Sequence, residues 1–596
     1  MREFESPATY VLPPHGNLTD DVVRNGTEHA DTVVLSVRED DGWRDVTAGE
    51  FLAQVRALAR GLAAAGLLPG DRVALMSRTR YEWTLLDYAI WFAGAVSVPI
   101  YETSSAEQVE WILTDTGATA VVVETAQHLD RLGEVRDRVG SLRHVWCLAA
   151  GAVTDLVALG RECPDEELER RRTAAGPGSL ATVVYTSGTT EHPKGCMLSH
   201  GNFMFELGIA LEEFDELFVR DEAATLLVLP LAHVFARLVQ VGAVRARVRV
   251  GHCADVRTLL RDLHEFRPTF VLAVPRVFET VFTKASHEAA ADGRSGLFNR
   301  AVEVAIAYSR ALDSGTPGML LRVRHSLFER LVYARLREVW GGLCVYAVSG
   351  GAPLGERLAH LYRGVGVTVL EGYGLTETTA AVSVNRPDAL KIGTVGRPLG
   401  GTSVRVAEDG ELHVRGGQVL RGYWHDDAAT REVLSEDGWL RTGDLGEIDD
   451  EGFVRVTGRK AEILVTTGGK NVAPALLEDR IRAHPLVSQS MVVGDGRPFV
   501  AALVTIDREA LEPWAAGRGK PASVPELVDD EDLRAEIQSA VDEANKAVSQ
   551  AEAVRRFVIL PVDWTEGYGQ VTPSLKVKRN VVLSQFRGAI DDMYAR

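Results

Sequence analysis

Cysteine is scarce and unpatterned in this sequence. The five cysteines, Cys147, Cys163, Cys196, Cys253 and Cys344, are odd in number and show no C-x-x-C spacing. A disulfide framework is thereby excluded, and a reducing cytoplasm is the expected compartment. Long hydrophobic runs are also missing. The longest, about Tyr88 to Ile100, is too short to span a bilayer and is interrupted by Gly94 and Pro99, so it reads as a core helix running into a strand. The opening residues MREFESPATY lack the apolar stretch of a secretory signal. Together these absences predict a soluble chain with at most weak membrane contact. Basic excess is absent as well. The net charge is −18, which excludes a general nucleic-acid binder but leaves room for a local basic pocket. Neither an internal repeat nor a long low-complexity segment is present.

What is present points to a folded chain of more than one domain. Apolar residues make up 46% of 596, enough for large cores, and the 25% charged fraction is too low for a disordered chain. Short apolar runs alternate with helical patterns through the first three quarters. Strands are predicted at Asp71 to Ser77, Val96 to Tyr101, Ala120 to Glu124, Thr182 to Thr186, Thr225 to Leu229, Phe270 to Val274, Val345 to Val348 and Thr368 to Leu370. This rhythm predicts parallel sheets flanked by helices. It changes near Lys391, where Val404 to Val414 reads as a hairpin around Asp409-Gly410. The β-rich piece ends near Lys460. A second hairpin around Asp495-Gly496 and a helix from Asp532 to about Val548 follow. The expected fold is α/β: an N-terminal domain over 1–460 with a β-rich subdomain at about 391–460, and a small α+β domain over 461–596. The arginine-rich helical stretch from Arg294 to Trp340 reads first as a solvated helical pair with an apolar inner face, and second as a segment that touches a membrane or gates a lipid.

One loop carries most of the chemistry. YTSGTTEHPKG (185–195) follows an apolar strand and holds Thr186, Ser187, Gly188, Thr189, Thr190 and Lys194. Hydroxyls and unhindered backbone N–H groups wrap phosphate oxygens, and a lysine neutralises part of their charge. The G-x-x-x-x-G-K-[ST] spacing is absent, so this is not a Walker A loop. By composition alone it reads equally as an ordinary turn.

Further motifs follow in order. EGYGLTET (371–378) offers the Tyr373 ring for a purine, Gly374 for close approach, the Thr376 hydroxyl for phosphate and the Glu377 carboxylate for Mg²⁺. Asp444 in WLRTGDLG has the chemistry of a ribose clamp, accepting two sugar hydroxyls. Arg459 opens a basic stretch, RKAEILVTTGGKNVAP, and PSLKVKR (573–579) ends in a basic cluster. LPLAHVFAR (229–237) contains His233, and VSGGAP (348–353) contains Gly350, Gly351, Ala352 and Pro353. Each motif alone has a plain structural reading as a turn, a cap or a solvated surface.

As an ordered set from about Val46 to Val582, these strings resemble the adenylate-forming superfamily of acyl-CoA synthetases, luciferases and peptide-synthetase adenylation domains. TFVLAVPRVFE (269–279) and the helical insertion after it are most similar to bacterial long-chain fatty acyl-CoA synthetases. The resemblance implies ATP, Mg²⁺ and CoA as cofactors and a small-molecule acid as substrate. It implies that Lys576 bridges the acid and the α-phosphate, that Glu377 and Thr186 contact Mg²⁺, and that Asp444 and Arg459 hold the ribose. It places His233 beside the acid pocket and Gly350 to Pro353 along the adenine and acyl sites. A mobile C-terminal domain serves the adenylation and thioester half-reactions in turn. Two positions depart from the pattern: Glu191 stands where relatives carry glycine, and Ala461 where they carry a charged hinge residue. These departures keep open a second reading, an adenylating enzyme with a non-CoA acceptor or an unusual acid such as nitrite.

Overall fold

The computed structural model describes residues 1–40, 42–186, 193–220, 222–572 and 576–595. The run around Tyr88 divides as its composition predicts. Tyr81–Phe92 is a helix buried on nearly every side, and Val96–Ile100 is a fully buried strand. That strand belongs to a six-stranded sheet in which Arg72–Met76, Val96–Ile100, Ala120–Val123 and His144–Cys147 run parallel. Parallel strands covered on both faces carry continuous apolar sequence rather than alternation. The edge is antiparallel: Leu180–Tyr185 pairs with Gly195–Ser199, with Tyr185 opposite Gly195. The phosphate loop is therefore the connection of an antiparallel hairpin. Ser187, Gly188, Thr189, Thr190 and Glu191 lie outside the described residues.

A second sheet of nine strands contains the parallel series Phe270–Ala273, Tyr346–Ser349 and Thr368–Tyr373. Their carboxyl ends open on one side, where ligands sit in open parallel sheets. Helix Val234–Ala246 joins this sheet to the first through Arg237. Its guanidinium is fully buried, donates to both carboxylate oxygens of Asp87 at 2.5 and 2.8 Å, and also reaches Thr182 Oγ1 at 2.6 Å and the Ser97 hydroxyl. Removing one partner of such a pair costs roughly 3–5 kcal/mol, because the other charge is left buried.

The hairpin around Asp409-Gly410 forms as predicted from Ser403–Val406 and Glu411–Arg415, inside a five-stranded antiparallel sheet. Glu3–Glu5 is an edge strand of that sheet, pairing with Ser403–Val406 across nearly 400 positions of chain. The β-rich piece ends with Leu440–Ile448 paired to Val454–Arg459. A separate C-terminal domain follows. Val487–Val493 and Val500–Ile506 pair antiparallel around Asp495-Gly496, and Val554–Ile559 adds in parallel. Helices Pro474–Arg482 and Glu531–Asn545 pack over it on a core of their own. Asn471–Val472 pairs as a strand with Leu464–Val465, and the helix after it begins at Pro474, whose missing N–H suits a first turn. No helix among the described residues is long and apolar enough to cross a membrane.

Candidate active site

A cleft of about 2990 Å³ lies between the carboxyl ends of the nine-stranded sheet, the β-rich piece and the C-terminal domain. Its walls bring together Thr186, His233, the Gly350–Pro353 turn, Tyr373, Gly374, Thr376, Glu377, Asp444, Arg459 and Lys576. Sequence separation between these residues reaches 390 positions, so only the fold unites them. Lys194 is the described exception, reaching the site indirectly. Its ammonium lies 5.2 Å from the ring centroid of Tyr423, which lines the cleft.

Strand Thr368–Tyr373 delivers Tyr373 to the cleft and then turns sharply. A Cβ on Gly374 would stand 1.6 Å from the carbonyl oxygen of Ala380, so no other residue fits. The turn continues through Thr376–Thr378 into two left-handed residues, Thr379 at φ 57° and Ala380 at φ 123°. Such conformations persist where surrounding bonds over-determine them. Here Thr379 Oγ1 donates to the Gln418 carbonyl at 2.7 Å, and the Ala381 N–H donates to the buried carboxyl of Glu206 at 2.7 Å. Burial drives the Glu206 carboxyl well above the usual carboxylate range, against the pull of the Ala381 N–H. Glu377 is presented from this turn. One of its oxygens accepts from the Tyr423 hydroxyl at 2.8 Å, and no described residue binds the other.

Asp444 sits on Leu440–Ile448 directly opposite Arg459 on the neighbouring strand. It is 3% exposed and accepts from the Tyr373 hydroxyl at 2.7 Å and from Arg459 Nε at 2.9 Å. Burial raises its pKa against the pull of Arg459. The carboxylate is thus locked in place with a lone pair on each oxygen to spare.

His233 caps helix Val234–Ala246. Its Nδ1 accepts from the Phe235 N–H at 3.2 Å, which places the ring proton on Nε2. Burial, then the positive charge of Lys576, push its pKa down to about 4, so the imidazole is neutral.

Lys576 closes a small loop of the C-terminal domain. Its N–H donates to Thr572 Oγ1 at 3.0 Å and its carbonyl accepts from the Thr572 N–H at 2.8 Å. Pro573, Ser574 and Leu575 lie outside the described residues. Its Cε comes within 3.9 Å of where a Gly351 side chain would begin. The side chain is exposed to the cleft yet surrounded by its protein walls. That crowding, then the charge of Arg459, lowers its pKa, while Asp444, Glu462 and Glu377 oppose the shift. Lys578 instead stands at the N-cap of helix Arg579–Gln585, its N–H donating to the Gln570 carbonyl. Arg579 braces this end of the chain on Glu478 at 2.6 Å and the Val492 carbonyl at 2.5 Å.

Several site residues escaped the sequence reading. Tyr423 steadies Glu377, Glu206 holds the strained turn, and Glu371 lies on the wall of the cleft. Glu371 opens the quoted string EGYGLTET without having been given a role, and Tyr423 and Glu206 belong to no motif signal and are found by contact alone. At the domain junction, Ala461 is exposed and bare of polar groups, but Lys460 beside it ties to Asp409 at 2.5 Å and Glu411 at 3.1 Å.

The arrangement offers a cleft with ample room for a nucleotide and a second substrate, lined by cationic, carboxylate and neutral imidazole groups. Comparison with known proteins agrees with that character. The family model described as AMP-binding enzyme matches residues 22–424, and the model for its C-terminal domain matches 461–596. The long-chain-fatty-acid–CoA ligase FadD15 of Mycobacterium bovis is 48% identical over 599 residues, spanning 100% of both chains. Human long-chain-fatty-acid–CoA ligase ACSBG1 is 28% identical, covering 95% of this chain and 84% of that protein. Among solved structures, the A domain of carboxylic acid reductase from Segniliparus rugosus, in complex with AMP and a co-purified carboxylic acid, shares the fold. Its TM-score is 0.76 at 22% identity, over 97% of this chain and 94% of that one. By the extent of these matches and by the ordered motifs that meet in the cleft, the chain belongs to the AMP-binding enzyme family.

Proposed function

We propose that this chain is an ATP-dependent ligase that converts a long-chain fatty acid to its adenylate and then to its CoA thioester. The observation that carries this reading is end-to-end similarity, at 48% identity, to a long-chain-fatty-acid–CoA ligase. The cleft chemistry supports it. An acid carboxylate attacks the α-phosphorus of ATP, a new P–O bond forms, the bond to the bridging oxygen breaks, and pyrophosphate leaves. This in-line step needs charge neutralisation and positioning more than acid or base. The ammonium of Lys576 is the group we assign to the charge that grows between acid and phosphate. Asp444 is assigned to the ribose hydroxyls, held ready by Tyr373 and Arg459. The 185–195 loop is assigned to the phosphates, with Lys194 and the described part of the hairpin as its frame. His233, neutral with its proton on Nε2, serves as a hydrogen-bond donor beside the acid rather than as a base.

A Mg²⁺ ion fits the free oxygen of Glu377 with the Thr186 hydroxyl nearby in sequence to the phosphate loop, and when bound it would supply charge neutralisation. In the second step the CoA sulfur attacks the acyl carbon, a C–S bond forms and AMP departs. We assign residues 461–596 to the moving body that withdraws Lys576 between the steps, pivoting beside Lys460.

A panel of long-chain fatty, aromatic and inorganic acids, read by AMP and pyrophosphate release with and without CoA, tests the reading. Fatty acyl-CoA formed in step with pyrophosphate is the expected result. Turnover confined to nitrite, or adenylate that never reaches CoA, would establish the second reading instead. No structural observation favours that second reading, and the relatives weigh against it.

A further inference from the structure

The helical stretch after residue 294 hides one apolar face and displays another. Helix Met319–Phe328 continues through a π-turn, Glu329–Tyr333, into Ala334–Val339. Phe328, Val332 and Leu336 turn inward to a buried cluster. The element is firmly seated: His325 stacks on Tyr308 at 3.9 Å between centroids and its Nε2 meets the Gly364 carbonyl at 2.6 Å. Outward, at helical spacing, stand Met319 at 83% exposure, Leu320 at 66%, Val323 at 60% and Leu327 at 59%, with Leu331 following. A solvated helix has no use for such a row, and a folded chain seldom leaves one bare without a partner.

The flanks of the row identify the partner. Arg322, Arg324, Arg330 and Arg335 are exposed beside it, and none of their side chains bonds to a described residue. Of the two acidic residues in the element, Glu329 is tied to Arg337, and only Glu338, near the far end, stands free. The element is thus basic within a chain of net charge −18. An apolar stripe edged by arginines is the composition of a helix that lies in the headgroup region of an anionic bilayer. A second copy of the chain suits it less. A two-fold contact would set the same arginines against one another.

We propose that this face docks reversibly on anionic lipid membranes, with Met319, Leu320, Val323 and Leu327 entering the acyl boundary and the four arginines meeting phosphate headgroups. Helix Ser295–Asp313 packs directly beneath, and its Arg310 lines the cleft, so docking holds one wall of the site close to the lipid surface. The inference is independent of which acid is activated, since docking is read without substrate.

The test is co-sedimentation of the full chain with vesicles of phosphatidylcholine alone and of equimolar phosphatidylcholine and phosphatidylglycerol. Wild type should bind the anionic vesicles, and less so as salt rises. The pair Arg322→Gln/Arg324→Gln should lower partitioning by about thirtyfold. The pair Val323→Ser/Leu327→Ser should also release the protein, while thermal midpoint and turnover of a water-soluble acid stay at wild-type values. Absence of binding to anionic vesicles, or binding that either pair leaves unchanged, would overturn the proposal. So would a dimer in sedimentation velocity that Val323→Ser/Leu327→Ser dissolves.

Discussion

Lys576 and Lys578 stand two positions apart in one basic string, and the structure gives them different work. Lys576 enters the cleft near Gly351 and feels Asp444, Arg459 and Glu377. Lys578 starts a helix. Lys576→Ala should therefore slow pyrophosphate release by at least about a hundredfold, the scale of one lost charge-stabilising group. Lys578→Ala should stay within a few-fold of wild type, since the cap it provides is a backbone one. Acid-dependent pyrophosphate release from both variants decides the matter, and the opposite ranking would reverse the assignment. The choice of Lys576 was legible in the pattern KVKR, but its altered basicity was not. That comes first from burial in the cleft and then from Arg459, which lies more than a hundred positions away.

At the scale of the element, the stretch after Tyr373 shows why a short motif is so restricted. Gly374 faces the Ala380 carbonyl, and two left-handed residues follow, held by Gln418 and Glu206. Gly374→Ala forces backbone against backbone, which no rotamer relieves. It should cost more than the roughly 1–3 kcal/mol of ordinary overpacking and abolish adenylation. Gly410→Ala makes a fair control. Gly410 has positive φ, at 86°, and its nearest neighbour is a side-chain methyl of Leu445 at 3.8 Å. Only backbone strain of about 1 kcal/mol is expected there, with activity kept. Thermal midpoints and turnover of the two variants provide the comparison. Equal effects would show that the close approach at Gly374 is not what restricts the turn.

For the whole molecule, the contact between the two domains carries a pH dependence. Glu371 lies on the cleft wall and accepts from the Leu354 N–H at 3.0 Å. Burial, then the negative charges of Asp479 and Glu356, push its pKa up to about 7 from 4.5. Asp479, on helix Pro474–Arg482 of the C-terminal domain, is raised to about 6, first by burial. Between about pH 4.5 and 7 the native state therefore holds a proton on Glu371 that the unfolded chain has lost. Stability contributed by that proton is complete below this window and declines as pH rises through it. Wild type should lose thermal midpoint from about pH 4.5 to about pH 7 more steeply than Glu371→Gln, which keeps the uncharged shape at every pH. Parallel profiles would remove Glu371 as the source. Arg276 spans the same junction, reaching Asp507 at 3.4 Å and Ser488 at 3.3 Å.

The sequence by itself determined the α/β class, most strand and helix positions, the hairpins at Asp409-Gly410 and Asp495-Gly496, and part of the set of residues that line the cleft. Those features are local. Apolar periodicity, turn residues and short strings act over a few positions, so a linear reading reaches them. Only the tertiary structure decided the rest. It paired Glu3–Glu5 with a strand near residue 404, buried Arg237 against Asp87, set Tyr423 on Glu377 and placed Lys460 where Ala461 offers no polar contact. It also showed that the arginine-rich helices bury one apolar face and bare another, where composition alone left a solvated pair and a membrane- or lipid-contacting segment both open. Contacts of this kind depend on which surfaces meet once distant segments are packed. Burial and neighbouring charge, the two causes of the shifts at Glu371, His233 and Lys576, arise only at that point.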